Sequence, residues 1–167
     1  MRLLKTLAIA STVGAWTVIV VGGYVSQTES GLGCPELVTC GNAENAAAAA
    51  IEGAHRLVAW AEGLLVLALL ILVWRSYRSW SPVRNLTTLG FVLVVVQSSL
   101  GILAVATSLS AYVVTAHLGV ATAFLAVMVL NAAVVFRGTP PEPAPATESP
   151  SGAVESYASA PSSGRRA

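Results

Sequence analysis

Residues 51–74 read IEGAHRLVAWAEGLLVLALLILVW, and this stretch decides the fold. It is long and apolar enough to form a helix that crosses a bilayer, for which about 20 residues suffice. Its first half nevertheless carries four ionisable side chains, those of Glu52, His55, Arg56 and Glu62. An ionisable group in hydrocarbon costs at least about 2.5 kcal/mol by insertion scales, so these residues indicate a functional site.

The ionisable residues fall on one face of the predicted helix. At about 100° per residue, Glu52, His55 and Glu62 lie within an arc of about 80°, and Arg56 lies at its edge. A stripe of this kind faces a bundle interior or a cavity rather than lipid. Glu62 either contributes to the same site or pairs with a polar group on another helix, and the sequence leaves both open.

The composition places the chain in a membrane. Hydrophobic residues make up 55% of the 167 residues and charged residues 10%, whereas soluble domains carry about 25% charged residues. The apolar segments predict an all-α, integral membrane four-helix transmembrane bundle. The predicted spans are residues 6–25, 51–74, 86–106 and 111–136, with an outer loop at 26–50. No basic patch with interleaved aromatic residues occurs, which excludes a nucleic-acid partner.

The basic residues predict how the bundle is oriented. Apart from Arg56, they form three clusters that four spans would place on one side: Arg2 and Lys5; Arg75, Arg78 and Arg84; Arg137, Arg165 and Arg166. The positive-inside rule makes this side cytoplasmic. The chain is therefore expected in a cell membrane, with both termini on the cytoplasmic side. Residues 1–137 then form the membrane domain. Residues 138–167, rich in Pro, Ser, Ala and Glu, are predicted to be a disordered cytoplasmic tail.

Two cysteines, Cys34 and Cys40, lie in the predicted outer loop. Thiols outside the cytoplasm tend to pair, and the five intervening residues can span the distance that a disulfide requires. We therefore predict a Cys34–Cys40 disulfide. It serves either as a structural staple or as a redox participant, and the spacing does not decide between them because it is not that of a CxxC motif.

The chain has two histidines, and both fall in predicted spans. His55 and His117 lie near the start of spans that run in the same direction, within about 10 Å of the outer boundary at ~1.5 Å per residue. Imidazoles at matched depth on adjacent or diagonal helices are suited to hold a planar metal cofactor, and haem iron is the expected metal. Gln97 in the third span is expected to join helices by hydrogen bonding.

Four segments of the chain carry a family resemblance: GGYVSQTESGLGCPELVTC at 22–40, IEGAHRLVAW at 51–60, QSSLG at 97–101 and TAHL at 115–118. Together they resemble the heme A synthase family, which are cytochrome c oxidase assembly proteins of the respiratory membrane. The chain departs from the family at Ser26, where a basic residue is common, and at residues 37–38, where Leu-Val replaces the usual Trp-Pro. Usual members also carry two four-helix halves, and this chain has one.

The resemblance implies an enzyme that oxidises the methyl group of heme O to the formyl group of heme A. On that basis His55 and His117 ligate the haem iron, Glu52 is the catalytic carboxylate, and Arg56 pairs with a haem propionate. The Cys34–Cys40 loop caps the site. The expected cofactors are heme O as substrate, heme A as product, and heme B. The expected partners are a heme O synthase, an electron donor and membrane lipid.

A half-length form also implies a homo-oligomer, for which glycine stripes offer close-approach faces: Gly14 with Gly22, and Gly90 with Gly101. Other functions fit the same residues. A non-catalytic b-type membrane cytochrome would use the same two histidines for electron transfer. A small four-span transporter would use Glu52 or Glu62 as a proton-coupled site. A quinone-linked thiol oxidoreductase would need a second reactive cysteine pair, which the sequence lacks.

Overall fold

A computed structural model describes residues 1–34, 40 and 44–139. These residues form four helices and no strand: α1 (Arg2–Gln27), α2 (Ala46–Ser76), α3 (Ser81–Ala106) and α4 (Ala111–Arg137). All four are long and apolar enough to cross a membrane, with mean hydropathies of 1.7 to 2.4. The predicted all-α, multi-pass membrane bundle is therefore confirmed. The predicted tail, apart from its first two residues, lies outside the described residues.

Three of the helices begin four or five residues before the spans predicted from hydropathy. A hydropathy window marks the hydrocarbon layer, whereas the helix end is set by local hydrogen bonding. The Asn45 side chain accepts hydrogen bonds from two N–H groups in the first turn of α2, so that helix begins at Ala46. Pro82 lies in the first turn of α3, where backbone N–H groups have no partner within the helix. Proline suits this position because it has no N–H.

The helices form a closed ring in which each contacts two neighbours. Helix α1 packs against α2 and α4, and α3 packs against the same two helices. The described parts of α1 and α3 do not contact one another, and neither do those of α2 and α4. The two histidine-bearing helices, α2 and α4, are therefore diagonal partners across the bundle.

The hydrophobic core occupies one half of the bundle. Its buried members come from the start of α1 and α3, the end of α2 and α4, and the loop between α2 and α3: Leu4, Ala8, Ala15, Val66, Leu69, Val73, Trp80, Val83, Phe124, Met128 and Val135. We call this the core half. The other half, which carries the Cys34–Cys40 disulfide, we call the disulfide half; no member of this apolar cluster lies at the level of the histidines.

The glycine stripes face inward, so their expected role as a surface for a neighbouring copy is wrong. A Cβ atom built at Gly14 would collide with the Glu62 carboxylate, and one at Gly90 would lie 2.9 Å from the Met128 sulfur. Gly22 and Gly101 likewise face the two histidines. The glycines make room for large or polar side chains inside the bundle, because a methyl group would overlap them at Gly14 and Gly90 and crowd them at Gly22 and Gly101.

Candidate functional site

The two imidazole rings lie at one level of the disulfide half. A Cβ atom at Gly22 of α1 would lie 3.0 Å from Cε1 of His55, and one at Gly101 of α3 would lie 3.4 Å from Cε1 of His117. The α1–α4 register follows from a hydrogen bond that Thr12 Oγ1 donates to the Met128 carbonyl. Because these helices are antiparallel, the position ten residues past Thr12, which is Gly22, lies level with residue 118.

Each ring is backed by a glycine from a neighbouring helix. The matched depth expected from the sequence is therefore present. Because α2 and α4 are diagonal partners, the imidazoles approach from opposite sides of the bundle. This is the arrangement in which two nitrogen ligands can hold a flat group between helices.

Several buried polar atoms around the rings have no hydrogen-bond partner within the described part of the chain. They are Nδ1 of both histidines and Oε1 of Gln97. Gln97 Nε2 lies 3.3 Å from Nε2 of His117, which joins α3 to α4 as predicted for this glutamine. Buried polar atoms are normally paired, so a cluster of unpaired ones indicates a site built to receive a group.

These residues fit a haem better than a bare metal ion. Among the described residues, no group of three or more His, Cys, Asp and Glu side chains could hold a metal ion. A haem needs only axial ligands from the protein, because the porphyrin supplies the other four nitrogens. His55 and His117 would be those ligands. If Nε2 of His117 were the ligand atom, the Gln97 amide would have to move away from it.

Glu52 anchors the disulfide loop to α2. Its side chain is buried; Oε2 accepts a 2.7 Å hydrogen bond from the Cys34 N–H, and Oε1 accepts a 2.5 Å hydrogen bond from Arg56 Nη2. The same Arg56 nitrogen donates to the Cys34 carbonyl at 3.2 Å. Glu52, Arg56 and Cys34 thus form one linked set, which we call the loop anchor. The catalytic role of Glu52 and the propionate role of Arg56 remain predictions.

The predicted Cys34–Cys40 disulfide is confirmed, with its Cα atoms 4.5 Å apart. Cys34 is fully buried, and a Cβ at Gly53 of α2 would lie 3.6 Å from the Cys40 sulfur. A Cβ at Gly33 would collide with the Ala48 backbone, so the chain passes closely over the start of α2. The disulfide therefore docks on α2, as a staple would. The Leu-Val departure at residues 37–38 lies outside the described residues.

Glu62 lies deeper in the bundle than the loop anchor. It is 4% exposed, and neither carboxylate oxygen has a hydrogen-bond partner among the described residues. The alternative in which Glu62 pairs with a polar group on another helix is therefore not realised in the described part of the chain. Its nearest α1 neighbour is Gly14, which leaves room for the carboxylate.

The sequence reasoning missed two features of the interior. One is the glycine behind each imidazole, which only an inter-helix register can reveal. The other is a buried hydrogen bond of 3.1 Å that Asn131 Nδ2 donates to Thr87 Oγ1, which joins α4 to α3 in the core half. A lone asparagine in an apolar span was the available signal, because amides there seek a partner on a neighbouring helix.

The fold and site define a class: a polytopic membrane four-helix bundle with facing histidines on diagonal helices and a disulfide-closed loop beside them. The family model for the cytochrome oxidase assembly protein matches residues 37–158. The chain belongs to that family, and the resemblance seen in its motifs is confirmed.

Individual relatives agree with this assignment. The chain is 30% identical over 141 residues to the heme A synthase of Bacillus mycoides (strain KBAB4), which covers 81% of this chain and 45% of the relative. It is 31% identical over 140 residues to that of Bacillus licheniformis, with 81% and 46% covered. The chain thus spans a little under half the length of the relatives it matches. No solved structure matches it.

Proposed function

We propose that the chain is a heme A synthase-like membrane oxidoreductase that converts the methyl group of heme O to the formyl group of heme A. The observation that carries the proposal is the pair of imidazoles at one level on diagonal helices. The relatives described above, which are heme A synthases, support it. The conversion of the methyl to the formyl group is a four-electron oxidation that adds one oxygen atom. With O2 as the oxygen source in two successive hydroxylations, R–CH3 + 2 O2 + 4 H+ + 4 e− gives R–CHO + 3 H2O, and the expected electron donor supplies the electrons.

In this proposal His55 and His117 hold the haem iron, and the porphyrin brings the carbon that is oxidised. The two glycines behind the rings fix where each imidazole lies. The side chains beside them limit access of water, because Cys34 and Glu52 close the disulfide end and are both buried. Exclusion of water strengthens the electrostatic interactions inside such a site.

Glu52 is proposed as the proton acceptor next to the haem, one turn from His55 on α2. Both of its oxygens accept hydrogen bonds within the loop anchor, and Arg56 balances its charge. The anchor fixes the carboxylate in position, which a general base requires. Taking up a proton would weaken its hydrogen bonds to Arg56 and Cys34, so the anchor would loosen at that step. Arg56 is proposed to reach a haem propionate, for which its planar fork is suited.

The positive-inside rule supports an orientation with the loop anchor outside and both chain ends in the cytoplasm. The level of His55 and His117, which we call the histidine layer, would then lie near the outer face of a cell membrane. A heme O synthase would supply the substrate within the same membrane, and an electron donor would supply the electrons.

The test is pigment analysis of the purified chain, expressed in cells that make heme O. Extraction of heme A or heme O at about one haem per bundle supports the proposal. Heme B alone would favour a b-type cytochrome, and absence of all haem absorbance would favour a transporter. The His55→Ala, His117→Ala double variant is the control, because any pigment that it retains is not held by these ligands.

The cytochrome is the second candidate, and one observation favours it. Both Glu52 oxygens already serve to hold the loop. A carboxylate with a purely structural role leaves the histidines as a simple electron-transfer site. Conversion of heme O by the purified chain separates the two candidates.

A further inference from the structure

Glu62 is buried inside the membrane bundle and is not explained by the proposed chemistry. The side chain is 4% exposed, and both oxygens lack hydrogen-bond partners among the described residues. It lies at the boundary of the core half, one turn from the fully buried Val66. On α1 the facing residue is Gly14, and its neighbour Ala15 is also buried.

No described charged group stabilises an ionised Glu62. Among the described residues no cation forms an ion pair with Glu62, and neither of its oxygens accepts a hydrogen bond. The ion pair among the described residues, Arg56 with Glu52, lies at the disulfide end. On α1 the carboxylate lies against Gly14, and Val94 of α3 lies beside the adjacent Gly63. The buried Ser11 hydroxyl, one turn from Gly14, forms no hydrogen bond with Glu62 among the described residues. An unpaired carboxylate in such surroundings costs several kcal/mol, so the group holds its proton.

A protonated carboxyl differs from a carboxylate in what it can bind. Its O–H is a hydrogen-bond donor, whereas the ionised form only accepts. Buried without a partner, a donor of this kind is free to bind a neutral oxygen such as a hydroxyl or carbonyl group. A hydrocarbon substituent at the same position would offer this O–H no acceptor and so no hydrogen bond.

The position of Glu62 relates it to the histidine layer. Seven residues separate it from His55 on α2, which is about 10 Å along the helix axis. At about 100° per residue the two side chains point within about 20° of one another. Both face inward, since each meets a glycine of α1. A flat group held between the imidazoles and lying along the helices would extend toward Glu62.

We propose that Glu62 is a specificity-determining residue whose carboxyl O–H donates a hydrogen bond to an oxygen-bearing side group of the bound porphyrin. The ligand class is a porphyrin with a formyl or hydroxyl substituent, as opposed to one with only hydrocarbon substituents at those positions. This inference rests on the proposed function, and it names a contact that the proposed chemistry does not use.

The experiment measures bound pigment rather than turnover. Wild-type protein is loaded with heme A or with heme B, and resonance Raman spectra record the formyl carbonyl stretch of heme A. A hydrogen bond to the formyl oxygen lowers the frequency of that stretch. Glu62→Leu removes the donor, so the frequency should rise to that of a formyl group without a hydrogen bond. We expect the same variant to lower the binding affinity for heme A about five- to tenfold relative to that for heme B, which is the scale of one neutral hydrogen bond.

A second variant moves the carboxyl without removing it. Gly14→Ala places a methyl group where the Glu62 oxygen lies, so it should displace the carboxyl and raise the formyl stretch as Glu62→Leu does. Gly23→Ala is the matched control, because a Cβ there would meet nothing within 4 Å. Each variant must bind heme B with the wild-type spectrum, which shows that the histidine layer has folded.

The inference is overturned if the formyl stretch is the same in wild type and in Glu62→Leu. The second measurement compares infrared spectra of haem-free wild type and haem-free Glu62→Gln. The inference is also overturned if wild type shows no band of a protonated carboxylic acid that is missing from the variant. This second measurement needs no haem. A chain that shows the band but binds no haem would refute the proposed function and the ligand contact, while leaving the protonated state of Glu62 supported.

Discussion

At the scale of residues, the site depends on close pairs in which one partner is a glycine. His55 with Gly22, His117 with Gly101 and Glu62 with Gly14 each place a polar side chain against a helix that has no side chain there. A glycine gives each polar group space but no hydrogen-bond partner, and Nδ1 of both histidines and both Glu62 oxygens are unpaired among the described residues. Their unpaired atoms indicate that binding a group stabilises this part of the molecule.

The histidines are the first residues to test. Replacing either His55 or His117 with Ala should abolish or strongly alter low-spin haem absorption, because each change removes one of the two side chains proposed to hold the iron. The measurement is the absorption spectrum of the purified protein after reduction. Unchanged spectra in both single variants would show that the ligands are wrongly assigned.

The space behind His55 gives a second prediction. Gly22→Ala brings a Cβ to within 3.0 Å of Cε1 of the ring, so the imidazole must shift, and overpacking of this kind costs about 1–3 kcal/mol. Haem titration should show weaker binding and a shifted absorption maximum. Gly23→Ala, which meets no neighbour, is the control, and identical behaviour of the two variants would contradict the prediction.

Glu52 gives a third prediction, which separates binding from chemistry. Glu52→Gln retains the shape of the side chain but removes its charge, so it should keep bound haem and stop conversion of heme O to heme A. Pigments extracted from cells that make heme O provide the measurement. Wild-type levels of heme A in this variant would exclude Glu52 from the mechanism.

At the scale of elements, the loop before α2 is held by covalent and ionic links together. The disulfide closes the segment between Cys34 and Cys40, and the loop anchor joins Cys34 to α2 through Glu52 and Arg56. Hydrogen bonds to charged groups contribute about 1.5–3 kcal/mol each, so the anchor should hold the start of the loop even without the disulfide.

Reduction of the disulfide tests this arrangement. We expect two thiols to react with maleimide only after reduction, and the reduced loop to be cleaved faster by protease between the cysteines. Circular dichroism should show the four helices unchanged, since the backbone hydrogen bonds within each helix do not involve the loop. Loss of helical signal on reduction, or no change in cleavage, would contradict the prediction.

At the scale of the whole molecule, a row of large apolar side chains lines the outside of α2. Leu57, Trp60 and Leu64 are 71%, 75% and 62% exposed. We propose that this face packs against a second copy, since identical subunits most often form closed dimers.

Native mass spectrometry in mild detergent tests this proposal. We expect an oligomer in which haem scales with subunit number, and a shift toward monomer in Trp60→Ala. Trp16→Ala is the matched control, because Trp16 is an exposed tryptophan of α1. A monomer that still makes heme A would refute the proposal, and dissociation by the Trp16 variant alone would place the interface elsewhere.

Much of this protein was readable from the amino-acid pattern. The four helices, the pairing of the cysteines and the matched depth of His55 and His117 all follow from it. The physical reason is the bilayer, which requires every backbone polar group to be paired within its own segment and so leaves helices of about 20 residues as the solution. Once the spans are placed, counting residues from a boundary gives the depth of a side chain.

The tertiary structure decided which side chains meet. The glycine stripes were expected to face a second copy and instead face His55, Glu62 and other interior side chains. The partners of Glu52 in the loop anchor were not foreseen either. A span's sequence states what lies on each face of a helix, but lipid and protein interiors are both apolar. The rotation of each helix about its axis is therefore set by packing against its neighbours.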